Sequence, residues 1–314
     1  MLTMMVPVTL LLLGALTAVV GPRILARASW PDREPVVALW AWQCVVAAVL
    51  LCCALSMTLS AAAAWKAVRG HVFATAPPAV ADAYSLGAAG PWAAPLAMLL
   101  AAGGLWSFTM LVSEVVRARA QRRARQSELL LRAPLLPGED TAGRRLVVLE
   151  GECPDVRWLP GAAPRLVVTT AALRRLKGHQ LDALFAHEQG HAQARHDWLL
   201  HCSAALAAGF PQIPVFAAFH EEMHRLVELA ADDVASRRYG RLTTALALVG
   251  LNEERGVFGP CPTPHALVPQ RVYRLLTPPN RLPALRRLRL TATAALVPLV
   301  PVLVTLVPGL RALS

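Results

Sequence analysis

Charged residues are scarce in this sequence, since only 16% of its 314 residues are Asp, Glu, Lys or Arg. A soluble globular domain carries about 25% of such residues. The hydrophobic fraction is correspondingly high, at 55%. This balance excludes most soluble enzyme classes and predicts an integral membrane protein.

Paired cysteines are also lacking. No two of the six cysteines have C-x-x-C spacing, and three of them, Cys44, Cys52 and Cys53, lie in one apolar run. The pattern excludes a disulfide framework and a cysteine zinc site. It favours cysteines that act as small apolar packing residues.

Acidic residues are fewer than basic ones, which gives a net charge of +11. The densest arginine clusters, Arg117–Arg125 and Arg281–Arg289, flank hydrophobic runs. Basic residues in such positions indicate membrane topology and contact with anionic lipid. We therefore expect membrane lipid as a partner and no direct binding of nucleic acid.

Four apolar runs reach the length of about 20 residues that a helix needs to cross a bilayer. They are Leu2–Val20, Val36–Ala64, Trp92–Val116 and Leu288–Leu310. The first run can also be interpreted as a signal peptide, with Ala26–Ala28 as the cleavage site. We favour a span, because no basic residue precedes the run and Arg23 lies before that site. Three prolines in the last run, the first at Pro298, predict a kink.

The distribution of Lys and Arg predicts the orientation. The short first loop is rich in arginine, and so are both ends of the segment between the third and fourth spans. The positive-inside rule then places this loop and this segment in the cytoplasm and both termini outside a bacterial-type cell membrane. We expect three regions, namely three spans in 1–116, a cytoplasmic domain in 117–287, and a fourth span with a short tail in 288–314.

The cytoplasmic segment has an α+β pattern. Arg144–Gly151 and Pro164–Thr170 are typical of strands, and a third strand is predicted at Val156–Gly161. Two longer helices are predicted at Gln180–Trp198 and Phe219–Arg238.

The first of these helices contains the sequence FAHEQGHAQARHDW, with His187 and His191 four residues apart. Residues at this spacing share one helix face, so the two rings can bind one zinc ion. Glu188 lies between them, where it can take a proton from a water molecule while zinc polarises a scissile carbonyl. The pattern predicts a metallopeptidase site.

A catalytic zinc needs a third protein ligand. One candidate is Asp197, but that type of site has a turn glycine where this chain has Ala194. The favoured candidate is Glu228 in the sequence ELAAD. Asp232 lies four residues later on the same face and can orient a ligand histidine.

The sequences AHEQGHAQARHD and ELAAD, in the loop before a final span, resemble the membrane zinc metallopeptidase of beta-lactam-sensing signal transducers. They are more distantly similar to the heat-shock and CAAX-prenyl membrane proteases. The resemblance implies a zincin-like (gluzincin) domain with one zinc per chain bound by His187, His191 and Glu228. It implies that Glu188 is the base and that Asp232 supports a histidine. Those sensors carry an extracellular antibiotic-binding domain after the fourth span, whereas this sequence ends at Ser314, so we expect the peptidase without beta-lactam sensing.

The spacing of the other polar residues near the motif is a weaker indication of function. We expect surface or interface positions for the histidines that crowd this region, which are His196, His201, His220 and His224. His265 and Arg271 are candidates for transition-state or substrate contacts. A structural role for these two is the favoured interpretation, because a proline-rich loop gives no fixed geometry.

The apolar run Trp198–Phe219 is long enough to span the bilayer, but it lies between the histidines and Glu228. A complete crossing would put the zinc ligands about 30 Å apart. Pro211 and Pro214 interrupt the run, so we expect either a re-entrant hairpin or a buried helix pair.

The sequence therefore predicts a mainly α integral membrane protein with about four spans and a cytoplasmic zinc endopeptidase domain. The expected substrate is a cytoplasmic or membrane-proximal protein, such as a transcriptional repressor or the chain itself, cleaved in regulated signalling. The alternatives are a membrane quality-control protease and a non-catalytic scaffold or receptor. Oligomers are compatible with all of these.

Overall fold

The structure is a computed structural model that describes residues 5–69, 93–132, 145–151, 154–159, 165–252, 267–277 and 280–313. This part of the chain is mostly helical. In chain order its elements are α1 (Met5–Arg27), α2 (Pro35–Arg69), α3 (Ala93–Arg132), β1 (Arg145–Leu149), β2 (Val156–Leu159), β3 (Arg165–Thr169), α4 (Thr170–Arg175), α5 (His179–Gln193), α6 (His196–Gly209), α7 (Pro214–Tyr239), α8 (Arg241–Asn252), α9 (Leu267–Leu276), α10 (Ala284–Leu296) and α11 (Leu299–Leu313).

Two of the described helices are long and apolar enough to cross a membrane, at Val6–Arg27 and Pro35–Ala62. Helices α10 and α11 together also qualify, but they are bent by 47° at the break between them. The bend lies at Val297 and Pro298, as expected from a proline that cannot continue the hydrogen-bond ladder. The third predicted span, Trp92–Val116, coincides with α3 from Ala93 onward, Trp92 lying outside the described residues, and its crossing of a membrane stays a prediction.

The predicted strands form a small mixed sheet in the order β1-β3-β2. Strand β3 pairs in parallel with β1 and antiparallel with β2. Thr169 ends β3 and caps α4, since its hydroxyl oxygen accepts a hydrogen bond from the amide of Ala172 at 3.2 Å. Helix α5 packs against β2, which brings an edge strand next to the histidine motif.

The apolar run Trp198–Phe219 is divided between two helices. Helix α6 ends at Gly209 and α7 begins at Pro214, with a short turn between them. Proline is well suited to the first turn of a helix, where its missing amide hydrogen costs nothing. Helix α7 therefore starts five residues before the predicted position.

The apolar face of α7 packs against α1 and α2. Phe216, Met223 and Val227 are buried in one cluster with Trp42 of α2, whose ring lies 6.3 Å from that of Phe219. Helices α6 and α7 thus share a core with the two membrane-length helices. The opposite face of α7 turns Glu228 and Asp232 toward the histidines of α5.

The loop between α1 and α2 is held by side chains of α7 and α9. The carboxylate of Asp32 pairs with Arg225 of α7, and its backbone oxygen accepts a hydrogen bond from Arg274 of α9 at 2.7 Å. Glu34 accepts a hydrogen bond from the amide of Leu282 at 3.3 Å. These contacts hold the first loop against the helices that surround the histidine motif.

Candidate metal centre

Helix α5 presents His187 and His191 on one face. The Nε2 atoms of His187 and His191 lie 3.1 Å apart, and their rings meet edge to face with centroids 4.8 Å apart. His187 is buried, and His191 is partly exposed. The pair is therefore held at the spacing that one ion requires.

Helices α5 and α7 approach closely at Gly190, which lies between the two histidines. A methyl group added at Gly190 would lie 3.3 Å from Cβ of Val234 and 3.5 Å from Cα of Ala231. The missing side chain lets the helices come together at this point. The close approach brings the acidic face of α7 to the histidine rings.

Glu228 brings its carboxylate to both histidine rings. Its Oε2 lies 3.5 Å from Nε2 of His187, and its Oε1 lies 3.5 Å from Nε2 of His191. With one ligand atom taken from each residue, the three atoms lie within 4.8 Å of one another. Ligands at 2.0–2.1 Å from a tetrahedral zinc are about 3.3 Å apart, so the three side chains can hold one ion after a small inward adjustment. Within the described part of the chain, these residues form the group of His, Cys, Asp and Glu side chains that could hold a metal.

Asp232 lies behind His187. Its Oδ1 is 3.0 Å from Nδ1 of His187, which is the position from which a carboxylate fixes the tautomer of a metal-binding histidine. Asp232 is 1% exposed, so its charge needs a partner inside the protein. The structure thus places Asp232 in contact with His187, and its role in supporting a metal ligand stays a prediction.

Arg271 supplies that partner. From α9, it donates two hydrogen bonds to Asp232, at 2.7 and 2.8 Å, and its Nη1 lies 2.7 Å from Oε2 of Glu228. The guanidinium is 5% exposed and faces both carboxylates. Arg271 therefore acts as a clamp, by which we mean that its guanidinium holds the carboxylates of Glu228 and Asp232 in place. His265 lies outside the described residues.

The electrostatics of the site suit a divalent cation. Glu188, Glu228 and Asp232 carry three negative charges when ionised, whereas Arg271 and the protonated His187 carry one positive charge each, so these groups have a net charge of −1. Burial raises the pKa values of Glu228 and Asp232, but the guanidinium of Arg271 outweighs it and holds both below their ordinary values. Such an excess of buried negative charge is stabilised by a bound cation.

The two histidines differ in protonation. Burial lowers the pKa of His187, but hydrogen bonds to Asp232 and Glu228 outweigh it and raise the pKa to about 10. Burial lowers the pKa of His191 to about 4, so this ring is neutral at neutral pH. In the metal-free site His187 therefore carries a proton, which a metal would have to displace.

Glu188 is positioned by the sheet. Its Oε2 accepts a hydrogen bond from the backbone amide of Trp158 in β2 at 3.0 Å. Burial raises the pKa of Glu188, against the lowering effect of His187 and this amide. A carboxylate with a raised pKa beside a metal site is suited to accept and return a proton.

A short turn separates α5 from α6. Helix α5 ends at Gln193 and α6 begins at His196, so the predicted continuous helix to Trp198 is wrong. The turn depends on Arg195, which has a φ of 51° in the left-handed region. The predicted surface or interface position of His196 is wrong too, because this residue is 4% exposed and its Nδ1 lies 3.1 Å from Nδ1 of His191.

Asp197, the alternative third ligand, is not one of the three residues that form the candidate group. It lies in the first turn of α6, after the turn at Arg195. Comparisons with protein-family models, with curated proteins and with solved structures give no match. The interpretation of the site therefore depends on its own residues and their distances.

Proposed function

We propose that this chain is a membrane-embedded zinc endopeptidase that cleaves a cytoplasmic or membrane-proximal protein. The observation that carries the proposal is the convergence of His187, His191 and Glu228, whose ligand atoms lie within 4.8 Å of one another. Glu188 lies on the same helix as the two histidines and is fixed by a backbone amide. The donor set of two imidazoles and one carboxylate is typical of catalytic zinc, which keeps one position open.

In the proposed reaction, each side chain has a separate task. When bound, zinc supplies a Lewis acid that polarises the scissile carbonyl and acidifies water. Glu188 takes the proton of the attacking water and transfers it to the leaving amine. Asp232 holds His187 in the tautomer that leaves Nε2 free for the metal, and Arg271 keeps Glu228 and Asp232 in place.

We also propose that helices α6 and α7 form a re-entrant hairpin in the membrane. The supporting observation is the depth at which residues of α7 contact α2 and the loop before it. Phe219 contacts Trp42, which lies about 10 Å into α2 from its first residue at 1.5 Å per residue. Arg225, further along α7, pairs with Asp32 in the loop outside α2. The turn of the hairpin then lies deep beside α2, and Glu228 lies near the membrane surface.

The arginine distribution supports a cytoplasmic site in a multi-pass protein with both termini outside. Regulated cleavage of a repressor, or of the chain itself, is the activity that the resemblance to beta-lactam-sensing transducers implies. The proposed substrate is therefore a protein that meets the inner membrane surface.

The experiment that tests this function compares cells expressing the wild type with cells expressing Glu188→Gln. This variant keeps the size of the side chain and removes the base. We expect protein fragments that accumulate with the wild type and are absent with the variant, detected by N-terminal peptide profiling. Identical fragment sets, with zinc bound in both proteins, would instead favour a non-catalytic scaffold.

A further inference from the structure

We propose that His196 is a positioning residue that fixes the tautomer and orientation of His191 for the metal, an inference that rests on the proposed zinc site. Its Nδ1 lies 3.1 Å from Nδ1 of His191, and the residue is buried. The sequence patterns give such a role to Asp232 for one ligand histidine without saying which, and the structure places Asp232 beside His187.

The turn at Arg195, between α5 and α6, creates the contact between His196 and His191. Because Arg195 adopts a left-handed conformation, α6 starts immediately and its first residue folds back onto the motif. The rings of His191 and His196 meet edge to face, with centroids 5.0 Å apart and an interplanar angle of 83°. A continued α5 helix would turn residue 196, five positions on, away from the face of residue 191.

The orientation of the His191 ring indicates that His196 supports it as a metal ligand. His191 turns its Nε2 toward His187 and Glu228, and its opposite ring nitrogen, Nδ1, toward His196. A neutral imidazole that binds a metal through Nε2 carries its proton on Nδ1. That N–H then donates to Nδ1 of His196, whose own proton lies on Nε2.

Each proposed histidine ligand thus has its own buried hydrogen-bond acceptor at Nδ1, the ring nitrogen that faces away from the proposed metal. The acceptor of His187 is the carboxylate of Asp232, whereas the acceptor of His191 is a neutral ring. A second carboxylate here would add to the negative charge of the site, and a neutral acceptor avoids this cost. Partners of this kind typically change metal affinity by 10- to 100-fold when they are removed.

The test compares His196→Leu with His196→Asn in the full-length, detergent-solubilised protein. Leucine has no hydrogen-bond acceptor, whereas the Oδ1 of asparagine can take the place of Nδ1 of the histidine ring. Zinc affinity is measured by competition with a chelator, and the ligand field is read from the visible absorption of the cobalt-substituted protein. The matched control is His220→Leu on α7, because His220 forms a hydrogen bond with Ser203 at 2.9 Å and a ring contact with His224, neither of which is a proposed ligand.

We expect His196→Leu to bind zinc 10- to 100-fold more weakly with a changed cobalt spectrum. His196→Asn should recover the affinity to within a few-fold, and the control should match the wild type. Wild-type affinity and spectrum in His196→Leu would overturn the inference. An equal loss in both His196 variants would overturn it as well, since the effect would then come from ring packing. A wild type without zinc would refute the proposed function itself.

Discussion

The close approach of α5 and α7 can be tested at Gly190 by introducing a single methyl group. In Gly190→Ala, the new Cβ would lie 3.3 Å from Cβ and 3.4 Å from Cγ2 of Val234, and 3.5 Å from Cα of Ala231. Neither Cβ nor Cα is the flexible end of a side chain. The helices must therefore separate by a few tenths of an ångström, and His187 and His191 move away from Glu228.

Two opposing effects determine the stability of this variant. Alanine in a helix interior is favoured over glycine by about 1 kcal/mol, whereas overpacking costs about 1–3 kcal/mol. The metal-free variant should therefore be less stable than the wild type by about 0–2 kcal/mol. Zinc affinity should fall more clearly, by roughly 10-fold, because the ligand separations tolerate shifts of only about 0.2 Å.

The assay is chelator competition for zinc together with urea unfolding of the metal-free protein in detergent. Gly209→Ala is the matched control, since a methyl group at Gly209, the last residue of α6, has no neighbour within 4 Å. The control should keep the zinc affinity of the wild type and lose no stability. If Gly190→Ala bound zinc as tightly as the wild type and were more stable, the packing argument would be refuted.

Three further predictions concern the surroundings of the site. Burial raises the pKa of Asp155 to about 6, so Asp155→Asn should raise the unfolding free energy by about 1–3 kcal/mol near neutral pH. This gain should vanish below about pH 4, where the aspartate is protonated in both folded and unfolded states; a gain independent of pH in urea titrations would contradict it. Arg271→Met leaves the protonated His187 as the remaining positive partner of Asp232 and Glu228 and should destabilise the metal-free protein by about 3–5 kcal/mol, with Arg271→Lys intermediate in thermal unfolding; equal losses in both variants would contradict the role given to Arg271. Single cysteines at Ser29 and Ala81, in a cysteine-free background, should be labelled from opposite sides of the membrane, and labelling from one side would contradict the topology.

The parts of the site that depend on local spacing could be predicted from the sequence. His187 and His191 share a face because they are four residues apart on a helix, and the same rule relates Glu228 to Asp232. No local spacing rule predicts that α5 and α7 pack against each other. It depends on Gly190, whose lack of a side chain becomes informative only when α7 is packed against it.

The position of His196 could not be predicted, because it depends on the backbone of Arg195. A left-handed turn at a residue other than glycine is uncommon, so the helix was expected to continue. A run of three polar residues directly after the motif, Arg195, His196 and Asp197, is the signal that could have indicated a helix end.

The clamp by Arg271 was equally hidden from the sequence. The side chain comes from α9, 39 residues beyond Asp232 in the chain, and no periodicity relates the two. Its bidentate contact with a buried carboxylate follows from tertiary packing. The apolar residues of α7, in contrast, follow helical periodicity, and the structure buries that face against α2.

The most direct test of the central claim is the X-ray absorption spectrum of the purified protein at the zinc edge, combined with its metal content. The proposal predicts one zinc per chain with only nitrogen and oxygen ligands, including two imidazole rings from His187 and His191. The signal should be lost in His187→Ala, in His191→Ala and, in large part, in Glu228→Ala. A zinc site with sulfur ligands, or an unchanged spectrum in the histidine variants, would contradict the account.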